Sequence, residues 1–231
     1  LVLLIPLVLL WLVIARRRRG DARVRAVLPV ALVAAAVLLP WVAFNLARFE
    51  KPVLLTTNDG TTWLGANCAD SYRGATMGGW TVLCVVADPD YSPDEEPSVR
   101  SARQRSLAVH YVRDHLSDVP GVVLARVGRT LDLYGLRDLV HQDVGEERPR
   151  WAAWAGVVSF WLLAAAAVLG ARLVRRRDRW LLLLPVLLVL CTTVLFYGGH
   201  RIRSSAEPTV VLLAAVAVAA GRGARGYRDQ P

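Results

Sequence analysis

Lysine is nearly absent from this chain: Lys51 stands alone beside 27 arginines in 231 residues. The motifs of soluble enzyme chemistry are missing too. No GxxxxGK or GxGxxG run occurs, and the cluster Gly74, Gly78, Gly79 has the spacing of turns, which disfavours a soluble-type nucleotide site. Among the four histidines, His110, His115, His141 and His200, none are three or four residues apart, so no helix face carries a two-histidine metal pair. There is no Gly-x-Ser-x-Gly elbow and no Cys-x-x-Cys pair. Neither a metal nor a cofactor is therefore expected. Charge itself is missing from long stretches: residues 1–15, 26–44, 151–171 and 180–198 carry none, and 204–220 carries only Glu207.

A helix needs roughly 20 apolar residues to cross ~30 Å of hydrocarbon, because each residue rises ~1.5 Å and the backbone must satisfy its own hydrogen bonds. Three of the five runs meet that length. The first opens inside an apolar run without Met and reads as cut, and the last is short unless it starts near Arg203. The expected fold is an all-α integral membrane protein with about five transmembrane helices and one large, mixed extracytoplasmic loop that contains helices. Its parts are two spans with a cytoplasmic arginine loop (1–44), the loop subdomain (45–150), three spans (151–221) and a cytoplasmic tail (222–231).

The arginines fix the orientation. They form blocks at 16–25, 172–179 and 222–228, in connections that alternate with five crossings, and the positive-inside rule puts all three in the cytoplasm. Those blocks, with the rest of the tail, hold 14 arginines against 3 acids, whereas residues 45–150 hold 12 basic and 15 acidic side chains. Nucleic acid is not the expected partner, because the basic residues follow topology and form no continuous face. Trp41, Phe44, Trp151, Trp154 and Trp180 mark the interfaces, where amphipathic rings prefer headgroup depth. Pro6, Pro29, Pro40 and Pro185 read as kinks or span ends.

The loop divides into three. Residues 45–86, rich in Thr, Gly, Asn and Trp, read as short extended pieces and turns. The stretch DPDYSPDEEP (88–97) reads as a solvated linker and lacks the ligand spacing and turn glycine of a calcium loop. Residues 98–118 read as a helix with Ala108, Tyr111, Val112, His115 and Leu116 on one face. After Pro120-Gly121 a second helix groups Val123, Leu124, Val127, Leu131 and Tyr134, with Arg126 and Arg129 elsewhere, a pattern suited to lying on a bilayer. Cys68 and Cys84 share this outward loop, where a disulfide between them is expected; the alternative is two small buried thiols.

Two segments place polar groups where a membrane protein needs a reason for them. PWVAFNLARFEKPVLLTTNDGTTWLG (40–65), followed by Asn67 and Asp70, sets amides and carboxylates beside tryptophans, the combination that holds sugar hydroxyls and C–H faces, although ordinary turn capping uses the same residues. HRIRSSAEP (200–208) puts Arg201 and Arg203 at the outer mouth of two spans, against the charge bias. Their forks match phosphate oxygens, and a headgroup contact or a pair with Glu207 is the alternative.

The order PW…N…F, TTNDGTTWLGANC…Y.G…G.W, ARVGRTLDLYG and YGGHRIRSSAEP resembles the C-terminal half of bacterial family 39-type glycosyltransferases, multi-spanning relatives of the protein mannosyltransferases. The resemblance covers nearly the whole chain through short motifs that are specific together and weak singly. It implies a fragment of a C-type membrane glycosyltransferase in the cytoplasmic membrane. Such an enzyme moves a sugar from a polyprenyl-phosphate-linked donor to an acceptor on the outer face, and its general base lies in a first outward loop that this sequence does not include. Arg201 and Arg203 are the candidates for the donor phosphate, and Asn58, Asp59, Asn67 and Asp70 for the sugar or acceptor cavity. Ala69 departs from the pattern, which has an acid directly after the cysteine, and this weakens Asp70. The competing class is a non-enzymatic membrane component such as a transporter or polymer-export subunit, favoured if the upstream half lacks an acidic outward loop.

The topology predicts the outcome of single-cysteine labelling. With Cys191 replaced, an impermeant maleimide added to intact cells should modify Glu95→Cys and leave Arg177→Cys untouched. Modification at 177 but not at 95 would overturn the arrangement.

Overall fold

A computed structural model describes residues 28–92 and 94–228, together with Leu9 and Val13. The expected span at 1–15, these two positions apart, lies outside the described residues, as do the arginine block at 16–25 and the last three residues of the tail. Among the described residues the regular structure is all helical: eleven α-helices and one 3-10 turn, with no strand. Among the described residues three helices are long and apolar enough to cross a membrane: α1 (Leu28–Arg48), α8 (Arg150–Leu173) and, over its apolar part Asp178–Leu195, α9 (Arg176–Leu195). The apolar part of α11 (Glu207–Arg228) is shorter, Glu207–Gly221, and the helix continues beyond it to Arg228.

Helix α1 leaves most of its apolar surface uncovered, and Asn45 is its one buried residue. It is tied to the loop at its far end, where Trp41 Nε1 donates to Leu55 O at 3.0 Å and Asn45 Nδ2 to Leu54 O at 3.3 Å. Pro40 lies inside α1 without ending it, as membrane helices tolerate.

Residues expected to be extended are helical instead: α2 (Asp59–Ala66), α3 (Ala69–Tyr72), a 3-10 turn at Gly74–Thr76 and α4 (Leu83–Val86). The reason is tertiary. Helix α2 lies against α5 (Pro97–Asp114) so closely that a Cβ on Gly60 would meet Ser101 O at 2.0 Å. Ser101 Oγ accepts from Gly60 N at 3.0 Å and donates to Asp59 at 2.6 Å, while Thr61 donates to Gln104 at 2.8 Å. Packing of this kind overrides weak local propensity. A Cys68–Cys84 disulfide joins α3 to α4.

Helix α5 is capped by Glu96, whose carboxylate accepts from Ser98 N and Val99 N. Its buried face is Ser98, Ser101, Gln104 and Ala108. Of the apolar face expected from sequence, Ala108 is buried, Tyr111 and His115 stack on each other beside Tyr72, and Leu116 is exposed. The acidic stretch 88–97 is not a free linker. Arg103 reaches back from α5 to Asp88, to Glu95 at 2.7 Å and to Asp90 O at 3.1 Å, and Asp88 is buried. A buried carboxylate requires such a partner.

The most extensive helix pairing is α8 with α11. It closes at Gly170, where a Cβ would lie 1.8 Å from Leu213 O, the small-residue approach that membrane helices use. Gly156, on the same helix, has nothing within 4 Å of its Cβ position. Gly170→Ala should therefore cost about 2 kcal/mol or more in reversible unfolding from mixed micelles, while Gly156→Ala should be neutral or stabilising by up to ~1 kcal/mol. Equal effects at the two sites would contradict this packing.

Candidate functional site

The loop and the last helices meet at Asp132. Helix α6 (Val119–Thr130) ends just before it, and Asp132 then takes a left-handed φ of 55°, a conformation that Asp adopts more readily than most residues. Its side chain is fully buried. One carboxylate oxygen accepts from Arg203 Nη1, and the other lies 2.7 Å from His200 Nε2. Both partners belong to α10 (His200–Arg203), the single turn between α9 and α11.

Two further carboxylates complete the cluster. His200 Nδ1 lies 3.0 Å from Asp143 Oδ2 on α7 (Leu136–Gly145), and Arg203 Nε donates to Glu207 at 3.1 Å. Arg203 Nη1 also donates to Thr130 O at 3.3 Å, and its guanidinium sits 3.7 Å above the Phe160 ring of α8. One charge network thus links the turn after α6 to α7, α8, α10 and α11. Removing one partner from such a buried pair typically costs about 3–5 kcal/mol, because the other charge is left without compensation.

A neutral imidazole has one N–H, yet both His200 nitrogens face carboxylates. Only the imidazolium donates to both. Burial works against that charge, but the hydrogen bond that His200 donates to Asp132 and the carboxylates of Asp132 and Asp143 outweigh burial and the repulsion from Arg203, so the His200 pKa is raised.

The cluster floors a cleft of about 390 Å³. Asp143, Glu146, Arg148, His200, Arg201, Arg203 and Glu207 are its titratable lining, and Val157, Phe160 and Val210 are among its apolar residues. The mouth is therefore of mixed charge and not simply basic. Arg201 is largely exposed and pairs with Glu146 at 3.3 Å, and Arg148 approaches Asp143 at 3.5 Å. The Arg201–Glu146 pair is exposed on both sides and holds weakly, whereas Arg148 is exposed against a buried Asp143. Arg203 is committed through Nε and Nη1, and its Nη2 has no hydrogen-bond partner among the described residues. Among those residues no three His, Cys, Asp or Glu side chains are grouped to hold a metal ion. An apolar groove along the start of α11, lined by Pro208, Leu212 and Ala215, shares Ser204, Glu207 and Val211 with the cleft.

Arg201 and Arg203 come together in this cleft. Asn58, Asp59, Asn67 and Asp70 do not line it. Asn58 is exposed next to α2, and Asp59 is engaged by Ser101 and Arg105. Asn67 is buried, accepting from Arg126 Nη2 at 2.9 Å and from Tyr72 OH at 3.1 Å. Asp70 is exposed on α3. Sequence reasoning missed Asp132, Asp143 and the role of His200. The available signal was a lone aspartate in the apolar stretch TLDLYG and a histidine directly before the two arginines. Comparison with family models, curated proteins and solved structures finds no match for the chain.

A folded-state pKa above ~6.5 means that charged His200 stabilises the fold fully below about pH 6.5, and that this contribution fades as the pH rises through the folded value. The stability difference between wild type and His200→Gln should therefore be largest at acid pH and shrink toward alkaline pH. A constant difference, or one growing with pH, would contradict the bridged imidazolium.

Proposed function

We propose that the chain forms part of a polytopic membrane glycosyltransferase that crosses the bilayer five times. In this reading the loop is extracytoplasmic and the donor is a sugar linked to a polyprenyl phosphate. The observation that carries the reading is the junction of the two surfaces just described. A cleft with available arginines shares Ser204, Glu207 and Val211 with an apolar groove on α11, so an anionic head and a hydrocarbon chain can be held side by side. The resemblance of YGGHRIRSSAEP and the preceding motifs to family 39-type enzymes supports the same conclusion.

In the proposed reaction an acceptor hydroxyl attacks the anomeric carbon. The new C–O bond forms as the bond to the phosphate oxygen breaks, the hydroxyl proton passes to a base, and the lipid phosphate leaves with the bonding electrons. Arg201 and the Nη2 of Arg203 would stabilise the charge developing on that phosphate. Arg203 is held by Asp132 and Glu207, which aims the open edge of its fork; Arg201 would exchange its exposed pair with Glu146 for the ligand. Asn58, Asp59, Asn67 and Asp70 remain candidates for contact with sugar or acceptor, although Asp59 and Asn67 already have internal partners.

Arg201→Gln tests the assignment, because its side chain is exposed and its loss should leave folding intact. In the full-length enzyme in detergent, normalised to folded protein, transfer from a polyprenyl-phosphate sugar should fall about ten-fold or more, since a charge-assisted contact is worth roughly 1.5–3 kcal/mol. Lysine should restore part of the loss, as a point charge lacks the planar fork. Unchanged transfer in Arg201→Gln would remove Arg201 from the phosphate site, and donor binding without transfer by the full-length wild type would overturn the enzymatic reading.

A further inference from the structure

We propose that α6 and the turn at residues 131–135 are embedded in the lipid leaflet on their side of the membrane, so that the loop subdomain penetrates to acyl-chain depth beside α8. The depth follows from one hydrogen bond. Trp161 Nε1 donates to Leu131 O at 3.3 Å, and Trp161 lies well inside the longest apolar helix, α8, which runs from Arg150 to Leu173. At ~1.5 Å per residue Trp161 stands about 18 Å from the Leu173 end. Hydrocarbon is ~30 Å thick, so with the Leu173 end at the opposite headgroups Trp161 falls roughly 12 Å short of the edge on the loop side. An indole N–H at that depth needs an acceptor other than water, and the end of α6 provides it.

The two faces of α6 point the same way. Val122, Ala125, Arg126 and Arg129 are buried. Arg126 donates to Val194 O at the end of α9 and to Ala66 O at the end of α2, and Arg129 pairs with Asp138. These bonds fix the rotation of α6 and leave Leu124 outward, 74% exposed, with Leu133 68% exposed in the turn that follows. This outward surface adjoins the uncovered apolar residues of α8, among them Val158 and Leu162, through the Trp161 contact. The occupant that matches this continuity is acyl chain: a helix with one apolar face and one bonded polar face, alongside a membrane-length helix, is the pattern of an interfacial segment. Asp132 lies in the embedded turn and is itself fully buried, with Arg203 and His200 as its partners.

The test uses the whole chain, with Cys191 replaced, reconstituted in phosphatidylcholine–phosphatidylglycerol vesicles. Leu124→Cys, Leu133→Cys and, as the control on the distal acidic stretch, Asp94→Cys each carry a bimane label. Lipids brominated on their chains should quench positions 124 and 133 at least about two-fold more than position 94, and aqueous iodide should show the reverse order. Labels at 124 and 133 that respond to iodide as position 94 does would overturn the proposal. So would protection from both quenchers that grows with the protein-to-lipid ratio, which would assign the face to a second copy of the chain.

Discussion

Asp132 is a carboxylate with no access to solvent, and its position is tolerable only because Arg203 and His200 neutralise it. The rest of the architecture follows from meeting that condition. The turn after α6 must present the carboxylate inward, which the left-handed conformation of Asp132 achieves. The α9–α11 connection must return both cations to it. That connection is anchored where Gly198 N donates to Gly78 O at 2.9 Å and where a Cβ on Gly198 would meet Arg126 O at 1.9 Å. Thr130 and Thr193, both buried, share a hydrogen bond at 3.0 Å one step away. In a low-dielectric setting such a network is strong when every member is satisfied and costly when one is not.

The helices of membrane length were legible because hydrophobic run length is a local property: 26–44, 151–171 and 180–198 each became a helix within a few residues of the expected bounds. The loop was less legible. Its short helices depend on contacts between distant positions, such as Gly60 against Ser101, and Thr- and Gly-rich composition gives no local sign of them. Helix α6 shows the same limit from another side. Its apolar and arginine faces were readable from spacing, but the arginine face turned inward to cap the ends of α2 and α9. No periodicity encodes that choice, since it depends on which carbonyls lie nearby.

At the site, Arg201 and Arg203 were readable as charges set against the topological bias. Their environment was not. Asp132 lies 71 residues from Arg203 in sequence, and only folding shows that Arg203 is held by buried partners while Arg201 has only an exposed pair with Glu146. The pair-with-Glu207 reading and the phosphate reading then cease to compete. Glu207 and Asp132 take the Nε and Nη1 of Arg203, and its Nη2 has no partner among the described residues, which is the atom that the proposed phosphate contact uses. A cleft that mixes three carboxylates with three arginines also suits a ligand of low net charge better than a polyanion.

Asp132 and Arg203 act as one unit joining the loop to the last helices. A double-mutant cycle on unfolding free energy in mixed micelles, with Asp132→Asn, Arg203→Gln and the pair, measures that coupling directly. The account predicts that each single change is strongly destabilising and that the second adds little, a coupling of about 2 kcal/mol or more. Additive losses, with a coupling under ~0.5 kcal/mol, would contradict it.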